Sequence, residues 1–256
     1  MKSAAPGLAL PDVTLCAVTS VNVAATVRAL EASMAQVHFG TCKLLTDVPV
    51  RHPAIEVVPI ARLTSAAAYS RFMLGALTDH VETPYCLVVQ WDGHVLSSAR
   101  WRSEFLEYDY IGARWPQFSD GRDVGNGGFS LRSRRLLEAC GAQNFRADHP
   151  EDIAICRTNR AMLEARGLRF APAALADLFA AERAGDPSES FGYHGVFNMP
   201  RAIGVESFWQ VYRQLDERSS VHHDFRHLLR EVGRGRERTS RAARMIADRI
   251  GAILRD

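Results

Sequence analysis

Short apolar segments that alternate with stretches of helical periodicity predict an α/β fold built on a mostly parallel sheet. Three observations carry this prediction. Apolar runs at 14–18, 42–46, 55–60 and 85–90 have strand length and the near-continuous hydrophobicity of buried strands. Helical patterns separate the first run from the second and the third from the fourth. Polar residues follow directly on two of the runs, Thr19-Ser20 after the first and Asp92-Gly93-His94 after the last. In parallel sheets, ligands bind at the carboxyl ends of strands.

Element by element, the run at 14–18 leads into a helix marked by Val27, Leu30, Met34 and Val37, with Ser20 or Asn22 as its cap. Two strands follow, at 42–46 and 55–60, and a helix at 66–80 leads to the strand at 85–90. The second half is less regular. Residues 108–116 are aromatic-rich, and 120–128 form a glycine-rich turn region. A strand is expected at 129–132, then a helix capped by Ser133 that runs to Cys140. His149-Pro150-Glu151-Asp152 opens a helix to about residue 166, since proline's fixed dihedral and two carboxylates suit a helix start. A strand at 168–171 and a loop or short strand at 190–195 follow. After about residue 207 the chain reads as helices, with Met245, Ile246, Ile250, Ile253 and Leu254 as an apolar stripe.

The 256 residues are enough for one domain with a sizeable core, and 47% hydrophobic with 23% charged residues is ordinary for a globular chain. A net charge of +2 gives no reason to expect nucleic-acid binding. The charge is uneven, however. Residues 222–256 carry nine Arg against five Asp or Glu. Such a tail is either a solvated helical face or a basic surface that rests on an anionic membrane or a partner. Cys16, Cys42, Cys86, Cys140 and Cys156 form no CxxC pair, and their odd number argues against a disulfide framework. A reducing cytoplasm is expected. The amino-terminal segment lacks a secretory apolar core, and no apolar stretch approaches the roughly 20 residues that span a bilayer. The expected location is therefore cytoplasmic, soluble or peripheral at the inner face of the membrane.

Four segments offer chemistry, each with a plainer reading beside it. In Gln90-Trp91-Asp92-Gly93-His94, a sharp turn at Gly93 lets Asp92 and His94 meet one divalent cation, and oxygen with nitrogen ligands suits Mn²⁺ or a related metal. Alternatively Asp92 only closes a turn. In Gly125-Asn126-Gly127-Gly128-Phe129-Ser130, a backbone without side chains lets a sugar approach closely, or simply forms a hairpin. Glu151-Asp152 supplies a general base or only a helix cap. His194, in Phe191-Gly192-Tyr193-His194, is a distant metal ligand or a packed histidine. Trp91, Trp101 and Trp115 stand near these segments, where aromatic faces either stack on sugar rings or pack in the core.

The order of these segments is more informative than any one of them. With YDYIGARW (108–115), GNGGFSLRS (125–133), HPEDIAIC (149–156) and FGYHG (191–195), the chain resembles the GT-A glycosyltransferases. Within them it resembles a bacterial and fungal glycosyltransferase-like family long catalogued as a domain of unknown function. The resemblance runs from about residue 13 to 200. It implies a GT-A domain over residues 1–204, with residues 205–256 as a helical basic extension. It also implies a nucleoside diphosphate sugar donor, a UDP-sugar by preference, and a glycan or glycolipid acceptor, as in surface polysaccharide or glycoconjugate synthesis.

The resemblance also implies roles. Thr19, Ser20, Arg71, Gln90, Trp91 and Asp92 face the donor, and Trp115, Asn126, Gly127 and Gly128 face the acceptor sugar. Asp92, His94 and His194 hold Mn²⁺ or Mg²⁺, the D-x-H pattern being similar to that of the polypeptide N-acetylgalactosaminyltransferases. Asp152 is the base of an inverting transfer, with Glu151 as an acceptor contact. Because the strict DxD is missing, Arg71, Arg114 and Arg132 are the alternative, metal-free partners of the diphosphate. Two rival readings remain: a non-catalytic sugar- or nucleotide-binding domain of the same fold, and a nucleotidyltransferase. The second is disfavoured because the first loop, Thr19-Ser20-Val21-Asn22, lacks glycine.

Overall fold

The computed structural model describes residues 7–234 and 237–254. The first six residues of the amino-terminal segment, and Gly235, Arg236, Arg255 and Asp256 of the basic tail, lie outside the described residues. The elements in chain order begin with β1 (Leu8–Val18), α1 (Val23–Met34), β2 (Val37–Thr46), β3 (Glu56–Pro59), α2 (Ala66–Leu74), β4 (Tyr85–Val89) and β5 (His94–Val95). They continue with β6 (Tyr110–Ile111), β7 (Phe129–Ser133), α3 (Arg134–Cys140), α4 (Glu151–Ile153), α5 (Arg160–Ala165), α6 (Ala173–Phe179), β8 (Ala180–Ala181) and β9 (Gly192–Tyr193). The rest is helical: α7 (Met199–Ala202), α8 (Val205–Tyr212), α9 (Ser219–His223), α10 (Phe225–Val232) and α11 (Arg238–Ile253).

The main sheet has the order β3-β2-β1-β4-β7-β6. The pairs β1–β2, β1–β4 and β2–β3 are parallel, whereas β7 runs antiparallel to both β4 and β6. Helices flank the sheet, so β4, β7 and the carboxyl-terminal half of β1 are buried on both faces, while the edge strand β3 is partly exposed. The side chains alternate accordingly. Leu15, Ala17, Leu87 and Val89 pack with Leu30 of α1 and with Leu175 and Phe179 of α6. Cys16, Val18, Cys86 and Val88 pack on the opposite face with Met73 of α2 and Leu137 of α3. The expected mixed α/β class with a mostly parallel sheet is thus the observed one. All five thiols are free and buried, as small hydrophobes in such positions should be.

Several local expectations are corrected. Helix α1 stops at Met34, so Val37 starts β2 instead of extending the helical stripe. The helix expected at 66–80 breaks at Gly75 into α2 and a 3₁₀ turn. The one expected to reach 166 is interrupted by a π turn at Ala154–Thr158, a feature often found beside functional sites. The segment 168–171 contributes only a single bridge, Tyr110 to Phe170. Ser133 does cap α3, accepting from the Leu136 amide at 3.1 Å. Asn22 occupies the cap position of α1 with a left-handed φ of 51°, but its side chain is used elsewhere. Its Oδ1 accepts from the Asp216 and Glu217 amides, both at 3.0 Å, and its Nδ2 donates to the Glu217 carbonyl at 2.8 Å. This clamp ties the carboxyl-terminal region to the end of β1.

The second sheet is small and positions the site. Its order is β5-β9-β8, with β8 and β9 parallel and β5 antiparallel to β9. Residues that follow β8 and β9, and residues that precede β5, therefore emerge at one end of it. Those residues are Glu182, His194 and Asp92. The helices from α8 onward are not set apart from the rest. Phe208, Tyr212, Leu228 and Met245 share one buried cluster with Ala25, Ala181 and Tyr193.

Candidate functional site

Two adjoining cavities lie at the carboxyl ends of β1 and β4. The first, of about 490 Å³, brings together Thr19, Ser20, Gln90 and Trp91 with Ser65 and Tyr69. The second, of about 450 Å³, is lined by Gln90, Trp91, Asp92, Glu182, Arg183 and His194. Glu217 lines the first, and Ser219 and Ser220 line both. The Asn22 clamp holds this segment in place. Four of the six residues expected on the donor side therefore line one cleft, and Asp92 stands at its inner end. Arg71 is exposed on α2, outside both cavities.

Gln90 links the two cavities. Its Nε2 donates to Tyr69 Oη at 3.1 Å, and its Oε1 lies 3.2 Å from His194 Nε2. His194 Nε2 is 3.4 Å from Asp92 Oδ1, and Nδ1 is 3.4 Å from Glu182 Oε1. Burial opposes the imidazolium charge, but the flanking Asp92 and Glu182 carboxylates outweigh it and push the His194 pKa up to about 10. Asp92 Oδ1 and His194 Nδ1 are both buried and are met by these ionic contacts, not by well-formed hydrogen bonds. Glu182 is itself positioned by Asn126, whose Nδ2 donates to Glu182 Oε2. Asn126 adopts a left-handed φ of 53°, and its Oδ1 accepts from the Gly128 amide at 3.0 Å, closing the turn.

The glycine pair is explained by what presses on it. A Cβ on Gly127 would lie 2.2 Å from Glu151 Oε1, and one on Gly128 would lie 2.1 Å from His194 Nε2. Only glycine leaves room at either position. The turn thus stands between the acidic pair on one side and the His194 cluster on the other.

Glu151 and Asp152 differ in their surroundings. Glu151 is buried, with Oε1 3.4 Å from Arg132 Nη2 and Oε2 accepting from Ser70 Oγ at 3.3 Å. Arg132 is fully buried, and it also reaches Ser130 Oγ and the Gly127 carbonyl. Asp152 accepts from its neighbour's amide, Ile153 N, at 2.8 Å, and the Gly127 amide also faces its carboxylate. Burial raises the Asp152 pKa, the Glu151 charge raises it further, and the Ile153 amide, Arg132 and the Gly127 amide counteract this in part.

Other expected residues are placed elsewhere. His94 Nδ1 faces the Val95 carbonyl at 2.8 Å, its ring packs edge-on to Tyr193, and it stays outside the Asp92 cavity. Strand pairing turns it that way, because His94 is registered opposite Tyr193 in the small sheet. Trp115 is buried with its ring against Gly125, so it fills the core. Arg114 pairs with Asp177 at 3.1 Å, and Arg132 is committed to Glu151, so neither lines the cleft. The cation that does line the second cavity is Arg183, held by Asp224 through bonds of 2.9 and 2.8 Å.

Glu182 and Arg183 escape a sequence reading because they follow an apolar helical stretch and look like its solvated end. Only the turn from α6 into β8 brings them inward.

The residues fit a divalent cation in kind. Two carboxylates and one imidazole form an oxygen and nitrogen set suited to Mn²⁺ or Mg²⁺, and Asp92 Oδ1, buried with only an ionic contact to His194 Nε2, is the atom a cation would satisfy. Among the described residues no three such side chains already surround a cation position. A cation beside Asp92 would therefore take the place of the proton on the His194 nitrogen that faces it, and its affinity would rise with pH.

One family profile, described as "Protein of unknown function (DUF5672)", matches residues 53–194, more than half of the chain. The chain belongs to the DUF5672 family. The DUF5672 match contains Asp92, the Gly127–Gly128 turn, Glu151, Asp152, Glu182 and His194, and it stops short of Thr19-Ser20 and of the carboxyl-terminal wall. No curated protein matches the chain. Solved structures that resemble this DUF5672 chain include a mannosyltransferase from Pyrobaculum calidifontis in complex with GDP-Man and Mn²⁺. It is 13% identical with a TM-score of 0.46, and the alignment covers 98% of this chain and 79% of that one. An active-site mutant of LgtC is likewise 13% identical, with a TM-score of 0.45, over 80% of this chain and 96% of that one.

Proposed function

We propose that the protein is a glycosyltransferase that moves a sugar from a nucleoside diphosphate sugar to an acceptor hydroxyl with inversion. One observation carries this reading: consecutive glycines place a desolvated carboxylate pair and a carboxylate–imidazole cluster on either side of one turn. One side suits proton abstraction, and the other suits a leaving diphosphate. Thr19, Ser20 and Trp91 form the nucleoside part of the cleft, for which a UDP-sugar is favoured. Asp92 with His194, and Glu182 instead of His94, would hold Mn²⁺ or Mg²⁺. That cation supplies charge neutralisation of the departing diphosphate. Asp152 takes the proton of the acceptor hydroxyl. Glu151 fixes Arg132 and the glycine turn, and so positions Asp152 without meeting the acceptor.

Thermal shift with a panel of nucleoside diphosphate sugars tests the donor and the cation together. A matching donor with Mn²⁺ near a hundred times its Kd should raise the melting temperature by roughly 5–10 °C. The gain should shrink in excess chelator and in Asp92→Asn. A gain unchanged by both would remove the cation, and no gain with any such donor would remove the donor reading.

A further inference from the structure

Among the described residues, the large hydrophobic side chains left exposed are Val21, Val48, Ile246, Ile250, Ile253 and Leu254. Four of these six sit on or at the end of α11. Ile246, Ile250 and Ile253 are 43, 52 and 65% exposed, and Leu254 is 81% exposed. Their spacing places them on one helix face. The opposite face holds the helix to the protein. Met245 is buried beside Phe208 and Leu228, Arg241 makes two bonds to Glu206, and Asp248 accepts from Tyr212 Oη at 2.9 Å. The sequence stripe is therefore split: Met245 faces the core and the isoleucines face outward.

Beside this stripe lies a hollow of about 530 Å³ whose wall includes His222, Arg226, His227, Arg230 and Arg249. Its one carboxylate, Asp224, is taken by Arg183. Arg226 and Arg230 are exposed and have no carboxylate partner among the described residues. Arg249 joins hollow and stripe. It stands three residues after Ile246 and four before Ile253, and so borders both on the helix surface.

We propose that this α10–α11 face docks on an anionic lipid surface. The isoleucines and Leu254 enter the headgroup boundary while Arg226 and Arg230 meet lipid phosphates. An apolar stripe beside a basic face is the pattern of a helix that lies in the interface plane, and no helix among the described residues is long and apolar enough to cross a membrane. A second copy of the chain is a poorer occupant. Four aliphatic side chains fall well short of the roughly 800 Å² per partner of a stable interface. A two-fold contact would also set the arginines against their own copies. The hollow shares His223 and Asp224 with the Asp92–His194 cavity, so docking would bring the candidate site to the bilayer surface. The inference stands apart from the transfer chemistry, and its test reads binding alone.

The full-length protein is sedimented with vesicles of phosphatidylcholine, and with vesicles that also contain phosphatidylglycerol. Binding is expected only to the anionic vesicles, and it should weaken with salt. Ile250→Asp with Ile253→Asp should cut binding more than tenfold. Arg226→Ala with Arg230→Ala should cut it roughly fivefold for each arginine. Both variants should keep the wild-type melting temperature. The proposal is overturned by absence of binding to anionic vesicles, or by binding that survives the isoleucine changes. It is equally overturned by a concentration-dependent dimer that those changes dissolve.

Discussion

Asp152→Asn is expected to lower kcat for glycosyl transfer by roughly 10²–10⁴-fold, the contribution of a positioned general base, while the protein melts no lower than wild type. The two halves of this expectation share a cause. Burial and the neighbouring Glu151 raise the Asp152 pKa, so the folded protein favours the protonated form. Stability from such a group is fully present below the unfolded value near 3.9 and is lost as pH rises through the raised folded value. At neutral pH the ionised carboxylate is a cost that asparagine removes, and that advantage should fade in acid. In the wild-type enzyme the same shift should move the acid limb of the pH–rate profile above the ordinary carboxylate range. A variant that melts well below wild type, or that retains turnover, contradicts the assignment.

Its neighbour should behave in the opposite way. Glu151→Ala is expected to destabilise the fold by about 3–5 kcal/mol, because it strands the fully buried Arg132 without its carboxylate. Arg132 Nη1 already lacks a hydrogen-bond partner, and the bonds that would remain, to Ser130 Oγ and the Gly127 carbonyl, are to neutral groups. For a chain of this size the melting temperature should fall by roughly 10 °C. Glu151→Gln keeps one amide oxygen to accept from Arg132, while its NH2 can donate to Ser70 Oγ, and so should lose less. If Glu151→Ala unfolds like wild type, the ion pair is not what holds the turn. The adjacent carboxylates are thus separable: one by stability, the other by turnover.

How much of this was legible in the sequence depends on how local each signal is. The central strands were readable because each is apolar on both faces and bounded by polar residues, as in Thr14–Val18 followed by Thr19-Ser20. Helix ends were less so. Gly75 and the π turn after Ile153 interrupt patterns whose apolar spacing continues through them. At the site, Asp92, His194, the glycine pair and Asp152 were readable as an ordered series, and the fold brings them to one turn. D-x-H spacing does not place His94, because it says nothing of strand register, and pairing opposite Tyr193 turns the ring away. Glu182 and Arg183 had no local mark at all. They reach the site only because β8 and β9 run parallel and end together. The carboxyl-terminal wall was equally invisible, since Asn22 looks like an ordinary helix cap until its partners at 216–217 are seen.

The most direct test of the central claim is release of nucleoside diphosphate from a panel of nucleoside diphosphate sugars with Mn²⁺, measured for the wild type and Asp152→Asn side by side. The account predicts release from at least one donor, stimulated by an acceptor and abolished by the substitution. Donor binding without release, or release that Asp152→Asn leaves unchanged, would contradict it and point to a binding domain in place of an enzyme.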